Sequence, residues 1–148
     1  MYEKNICEIE LKLKRTKVEN FKVTNSKDIY NFLKNVYDED TLCLYESCFV
    51  IYFDNSLKSI GWFKHSSGGM CASIIDPKLV IGTALKIGAT AIALTHNHPS
   101  GSLTPSSEDI RVTEKIKNAC GFLDLNLIDH IIYTQENGYY SFADEGRI

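Results

Sequence analysis

The chain has 148 residues, of which 44% are hydrophobic and 24% charged, with a formal net charge of −3. This composition excludes a disordered or fibrous protein, and the length is that of one domain with a core of its own, here residues 1–148. The net negative charge disfavours a domain that functions by binding nucleic-acid phosphates. The sequence contains no apolar run long enough to span a bilayer and no signal-peptide layout, so we expect a cytoplasmic protein without a membrane partner.

The cysteines form no C-x-x-C pair, and their number is odd: Cys7, Cys43, Cys48, Cys71 and Cys120. A secreted disulfide scaffold is therefore excluded, and we expect most of these thiols to be small buried hydrophobic groups in a reducing compartment. Cys43 and Cys48 are close enough in sequence for a zinc site, but the chain offers no second pair.

Residues 1–25 form an N-terminal extension that we interpret as carrying a half-buried strand, because Ile9, Leu11 and Leu13 alternate with charged residues. The basic cluster near the start is either the solvated face of an edge strand or a nucleic-acid contact. It comprises Lys12, Lys14, Arg15 and Lys17. Helical spacing then predicts an amphipathic helix over 26–37, capped by Asn25 and Ser26.

The remaining elements alternate between strand and helix. A β-prone hairpin, SCFVIYFDN and LKSIGWF, is followed by a loop over 65–69. Asp76 and Pro77 predict a helix start and Gly88 its end; the run TAIALTH lacks alternation, which indicates a strand covered on both faces. A helix from Ser106 precedes two closing strands, LNLIDHIIYT and GYYSF. This order predicts an α/β sandwich with a mixed sheet.

The stretch THNHPSGSLTPSSED carries the candidate chemistry. His96 and His98 are two residues apart, so at the end of a strand both imidazoles leave the same face. Asp109, in the first turn of the next helix, can return beside them. Two imidazoles and one carboxylate would leave a zinc ion with one open position, which is the mark of a catalytic site. The alternatives are two surface histidines, and a helix capping box formed by Ser106 and Asp109.

The pattern H-x-H-x7-S-x-x-D resembles the JAMM (MPN-plus) motif, and HNHPSG, TPSSEDI, LIDHIIYT and YYSFADEG resemble the catalytic domain of the RadC family. The resemblance runs from about Arg15 to the C-terminus. It implies an α-β-α sandwich with a central mixed β-sheet, the cytidine-deaminase-like JAMM/MPN architecture. It also implies one Zn²⁺ per chain, held by His96, His98 and Asp109.

The same resemblance implies roles for two further residues. Glu46 matches the general base, and Ser106 matches the residue that stabilises the oxyanion when metal-bound water attacks an amide or isopeptide carbonyl of a protein or peptide. Other upstream carboxylates are Glu8, Glu10 and Glu39. His130 either orients a ligand or is a core histidine bonded to a backbone carbonyl. His65 has no matching role.

Two other function classes stay open beside a metallopeptidase: a non-catalytic scaffold or DNA-associated module, and a metal-dependent nuclease. A zinc nucleobase deaminase is excluded, because H-x-E and P-C-x-x-C are missing. RadC proteins usually carry a helix-hairpin-helix segment, for which residues 1–25 are too short, and this weakens the association with DNA repair. We expect the Ser66 to Cys71 loop to form part of the substrate groove; the sequence carries no indication of oligomeric state.

Overall fold

The computed structural model of the chain describes residues 6–68 and 75–148. Within these ranges three helices and five strands alternate along the chain. They are α1 (Ser26–Leu33), β1 (Ser47–Phe53), β2 (Ser59–Ser67), α2 (Pro77–Ile87), β3 (Ala91–Asn97), α3 (Ser107–Gly121), β4 (Asn126–Tyr133) and β5 (Tyr139–Ser141).

The described strands form one mixed sheet in the order β2-β1-β3-β4-β5. Strand β1 is antiparallel to both β2 and β3, and β4 is antiparallel to β5. Strands β3 and β4 are parallel because α3 carries the chain back along the sheet between them. Every residue of β1 and of β3 is buried, and for β3 the lack of alternation in TAIALTH predicted this.

Alternate residues of the central strands pack on opposite layers of helices. Phe49, Ile51 and Phe53 of β1 join α1 in one core. Val50 and Tyr52 face the other way and join α2 and α3 in a second core. The predicted α-β-α sandwich with a central mixed sheet is therefore confirmed.

Capping residues set most helix boundaries where the sequence predicted them. Asn25 and Asp28 form a capping box at the start of α1, and Asp76 caps α2 with Pro77 in its first turn. Gly88 ends α2 in the left-handed conformation at φ 69°. Helix α1 is shorter than the predicted 26–37, because beyond Leu33 the chain tightens into turns such as Val36 N–H to the Leu33 carbonyl.

The prediction of an N-terminal strand was wrong for the described residues. Residues 6–20 form no strand, and Ile9 and Leu13 are 84% and 64% exposed. Alternation alone does not hold a strand without a partner, and the nearest pairing is an isolated bridge beyond the end of this segment, between Lys22 and Lys58. The basic cluster lies in this exposed segment.

Strand β2 continues further than predicted, so His65 lies in a strand rather than in a loop. Ser66 and Ser67 still pair with the start of β1, opposite Cys48 and Ser47. Of the loop expected to line a groove, residues 69–71 lie outside the described ranges. None of the described helices is both long and apolar enough to cross a membrane.

The cysteines divide between core and surface. Cys48 and Cys120 are buried, whereas Cys7 and Cys43 are exposed, so the expected burial holds for two of the four described thiols. Cys71 lies outside the described residues. The Cys43 thiol donates to the Gln135 side chain, while Cys48 is enclosed in β1, so the two thiols do not share a site.

Candidate metal centre

The two histidines of the motif meet at the carboxyl end of β3. His96 lies in the strand and is 2% exposed. His98 follows the strand, and its N–H donates to the Tyr133 carbonyl at 3.1 Å, which continues the pairing with β4 by one step. Their Nε2 atoms are 3.0 Å apart. The spacing of two therefore places both rings on one face.

Asp109 enters the same cluster from the first turn of α3. Its Oδ1 lies 3.2 Å from His96 Nε2, and its Oδ2 lies 3.5 Å from His98 Nε2. Oδ2 also accepts the Ser106 N–H at 2.7 Å, and Ser106 Oγ accepts the Asp109 N–H at 3.1 Å. The capping box and the approach to the histidines coexist, because Oδ1 faces His96 while Oδ2 accepts the capping hydrogen bond and also faces His98.

Glu46 completes the cluster from the residue before β1. Its Oε1 lies 3.7 Å from His98 Nε2, and its side chain is 16% exposed. Among the described residues, Glu46, His96 and His98 form a group whose ligand atoms lie close enough to hold one metal ion. The other upstream carboxylates, Glu8, Glu10 and Glu39, are exposed.

The hydrogen bond behind His98 determines which of its nitrogens faces the cluster. His98 Nδ1 lies 2.7 Å from the Ser102 carbonyl oxygen. A carbonyl only accepts, so Nδ1 carries the proton and the neutral ring presents a bare Nε2. That lone pair faces oxygens of Asp109 and Glu46, which are themselves acceptors. Such a set of converging acceptors calls for a cation between them.

The electrostatics of the cluster follow the same arrangement. Burial raises the pKa of the Asp109 carboxyl, but its contacts with the His96 and His98 rings lower it by more, so the net pKa is well below its usual range. Burial lowers the pKa of the His98 imidazole, but contacts with Asp109 and the Ser102 carbonyl raise it by more. The first shift favours the ionised Asp109 carboxylate, and the second favours a positive charge at His98 Nε2, which either a proton on that nitrogen or a cation bound beside it supplies.

His130 lies directly behind His96 in the interior. Its Nε2 is 2.8 Å from His96 Nδ1, and its Nδ1 is 2.6 Å from Thr113 Oγ1. The ring is fully buried and stacks on Phe142. Burial, with the nearby His96 ring, holds the pKa of His130 well below its ordinary value. Of the two interpretations of His130, the contact with a candidate ligand is the one that the structure shows.

Asn97, between the two histidines, was not singled out by the motif. Its side chain points to the other face of the sheet and is 1% exposed. Its Oδ1 accepts the Ser47 N–H at 2.7 Å, and its Nδ2 donates to the Leu42 and Tyr45 carbonyls at 2.8 and 3.1 Å. These bonds fasten the segment that carries Glu46 to the end of β3. The sequence signal that could have pointed to Asn97 is the position of an amide side chain between two candidate metal ligands.

Two other residues considered from the sequence lie elsewhere or face solvent. His65 Nε2 accepts the Asp76 N–H at 2.8 Å, at the start of α2, which is a structural contact. Ser106 is exposed. It is the N-cap residue directly before α3, the helix that carries Asp109.

Comparison with known proteins agrees with this architecture. Residues 23–147 match the family model of the RadC-like JAB domain. The chain is 42% identical over 125 residues to a UPF0758 protein of Flavobacterium johnsoniae, which covers 84% of this chain and 53% of that protein. It is 36% identical over 124 residues to a UPF0758 protein of Aquifex aeolicus, covering 84% and 52%. The chain thus spans about half the length of these curated relatives, whose names state no activity.

Proposed function

We propose, from the premise that the chain belongs to the family of RadC-like JAB domains, that it is a zinc-dependent hydrolase of amide or isopeptide bonds in proteins or peptides. The observation that carries this proposal is the convergence of two imidazoles and two carboxylates from three separate segments of the chain. His98 faces the others with a bare nitrogen, an arrangement that a bound cation satisfies.

The donor set fits zinc. His96, His98 and Asp109 would hold the ion, since imidazole nitrogen and carboxylate oxygen are both zinc ligands. The distances between their donor atoms are 3.0, 3.2 and 3.5 Å, close to the value of about 3.3 Å between neighbouring ligands of a tetrahedral zinc. When bound, zinc supplies Lewis acidity, which lowers the pKa of a coordinated water to about 7 and polarises a carbonyl.

Glu46 is the proton carrier in this proposal. Its carboxylate lies beside His98 but is held by a separate segment, so it can take a proton from water and return it to the leaving amine. The hydrogen bonds from Asn97 to Tyr45 and Ser47, on either side of Glu46, keep this carboxylate in position.

Ser106 supplies a donor for the charge that develops on the substrate carbonyl oxygen. Its bond with the Asp109 N–H uses the oxygen of the hydroxyl and leaves the hydrogen to donate. A donor held at the start of a helix is favourable there, because the helix N-terminus also attracts negative charge.

The test is cleavage of a peptide library that contains both α-linked and Lys ε-linked amide bonds, read by mass spectrometry. Zinc-loaded protein should cleave a subset of these bonds. Glu46→Gln should lower the rate by about 10²- to 10⁴-fold, the contribution of a general base, while still binding zinc. Glu39→Gln, at an exposed carboxylate on the same loop, serves as the matched control and should keep full activity.

Two outcomes would contradict the proposal. Unchanged cleavage by Glu46→Gln would remove the residue from the mechanism. Degradation of a DNA duplex that depends on both zinc and Glu46, without cleavage of any amide bond, would replace the peptidase with a nuclease.

A further inference from the structure

A chain of three short hydrogen bonds runs from the candidate ligand His96 to helix α3. His96 Nδ1 lies 2.8 Å from His130 Nε2, His130 Nδ1 lies 2.6 Å from Thr113 Oγ1, and Thr113 Oγ1 lies 2.6 Å from the Asp109 backbone oxygen. All three residues, His96, His130 and Thr113, are buried, with at most 2% of each residue exposed. Water therefore has little access to these bonds, and their partners must satisfy one another.

The direction of every bond in this chain follows from its last member. The Asp109 carbonyl oxygen only accepts, so the Thr113 hydroxyl donates its one hydrogen to it. Thr113 Oγ1 must then accept from His130, which places the proton of His130 on Nδ1. His130 Nε2 is left as an acceptor, and it receives the Nδ1–H of His96. The neutral His96 ring is thereby left with a bare Nε2.

We propose that Thr113 and His130 are positioning residues that fix the tautomer and orientation of His96, so that its Nε2 lone pair faces the metal. The proposal deepens the proposed function and rests on it for the presence of the metal. The backbone carbonyl of Asp109 anchors this series of hydrogen bonds. One candidate ligand residue, Asp109, therefore determines which ring nitrogen of another, His96, carries the proton. A ligating histidine whose second nitrogen is held by such a partner binds its metal more strongly.

The opposite direction would disable the site. A proton on His130 Nε2 would donate to His96 Nδ1 and push the His96 proton to Nε2. That proton would then occupy the Nε2 lone pair that is needed to bind the metal, at a position only 3.0 Å from His98 Nε2. Stacking of His130 on Phe142, with ring centroids 4.8 Å apart and 12° between the planes, fixes the His130 ring plane while the hydroxyl of Thr113 decides its tautomer.

The first test needs no variant and no activity. Nitrogen-15 NMR of the metal-free full chain, in alkaline buffer where imidazoles are neutral, reports which ring nitrogen carries each proton. We expect His96 and His130 both to be protonated on Nδ1. A proton on Nε2 of His130 would overturn the inference.

The second test is zinc affinity, measured by competition with a chromophoric chelator. Thr113→Val preserves shape but removes the hydroxyl, and should weaken zinc binding by about 10- to 100-fold. Thr113→Ser restores the hydroxyl and should restore the affinity. The matched control is Thr95→Val: Thr95 is equally buried and adjacent to His96, but its hydroxyl bonds Tyr37 on the other face of the sheet. This control should bind zinc like wild type.

The failures of the two proposals are distinguishable. Equal zinc affinity in wild type and Thr113→Val would overturn the positioning role and leave the hydrolase proposal intact. A wild-type protein that takes up no zinc would contradict the hydrolase proposal. The ring tautomers of the metal-free protein would still decide the direction of the hydrogen bonds from His96 through His130 to Thr113.

Discussion

Asn97 shows how one residue links the two halves of the candidate site. Its neighbours in sequence, His96 and His98, face the helices α2 and α3, while its own amide faces the segment before β1. That amide satisfies one N–H and two carbonyls of residues 42–47. The position of Glu46 is therefore coupled to the end of β3 by buried hydrogen bonds.

We expect Asn97→Asp to destabilise the fold. The new carboxylate still accepts from Ser47, but it no longer donates to the Leu42 and Tyr45 carbonyls, and its charge is buried. Each unsatisfied buried group costs about 1–3 kcal/mol, so the free energy of unfolding should fall by at least about 1 kcal/mol in urea titrations. Asn126→Asp, the same chemical change at an exposed position, is the control. Equal stability of both variants would refute the coupling.

At the residue scale, local patterns in the sequence predicted part of the candidate site. The spacing of His96 and His98 predicts a shared face, and Ser106 and Asp109 mark a helix start. The sequence posed capping and metal approach as alternatives for Asp109, whereas its two oxygens serve both. The bond from His130 to His96 spans 34 residues, and no local pattern encodes a contact that only the parallel pairing of β3 and β4 creates.

Two glycines, one within helix α2 and one directly after it, have conformations that lead to opposite expectations. Gly82 lies in the exposed interior of the helix, and a Cβ there would meet no atom within 4 Å. Gly88 ends the helix at φ +69°, where an L side chain is strained even though the space is equally open. Replacing each glycine with alanine therefore tests helix propensity at Gly82 and backbone strain at Gly88.

We expect Gly82→Ala to stabilise the protein by about 0.5–1 kcal/mol, because alanine loses less conformational entropy in a helix. Gly88→Ala should destabilise it by about 1 kcal/mol or more through the left-handed strain. Urea unfolding of both variants against wild type measures the difference. Shifts of the same sign in the two variants would contradict the assigned conformations.

At the element scale, the predictions succeeded where a cap or glycine marks a boundary and failed where periodicity stood alone. The start of α2 at Pro77 and its end at Gly88 follow from local chemistry. The residues Val36 and Tyr37 fit helical spacing, yet they lie beyond α1, where the Tyr37 hydroxyl reaches Thr95 in the core. The N-terminal alternation failed because pairing depends on a neighbour that the segment itself does not contain.

On the scale of the whole molecule, the sheet brings together groups that are far apart in sequence. The start of β1, the end of β3 and the N-terminus of α3 meet at one edge of the central layer, and each contributes a side chain to the candidate centre. Because the folded chain assembles this donor set, a metal that binds there is coupled to folding. We therefore expect this edge of the sheet to hold one zinc ion.

Elemental analysis decides whether zinc is bound there, on the full chain purified without a metal-affinity tag or chelator, beside His96→Ala and Asp109→Ala. We expect about one zinc per wild-type chain and loss of the metal in both variants, with each variant shown to be folded by circular dichroism. A folded wild-type chain that contains no metal and takes up no added zinc would show that these side chains do not form a zinc site.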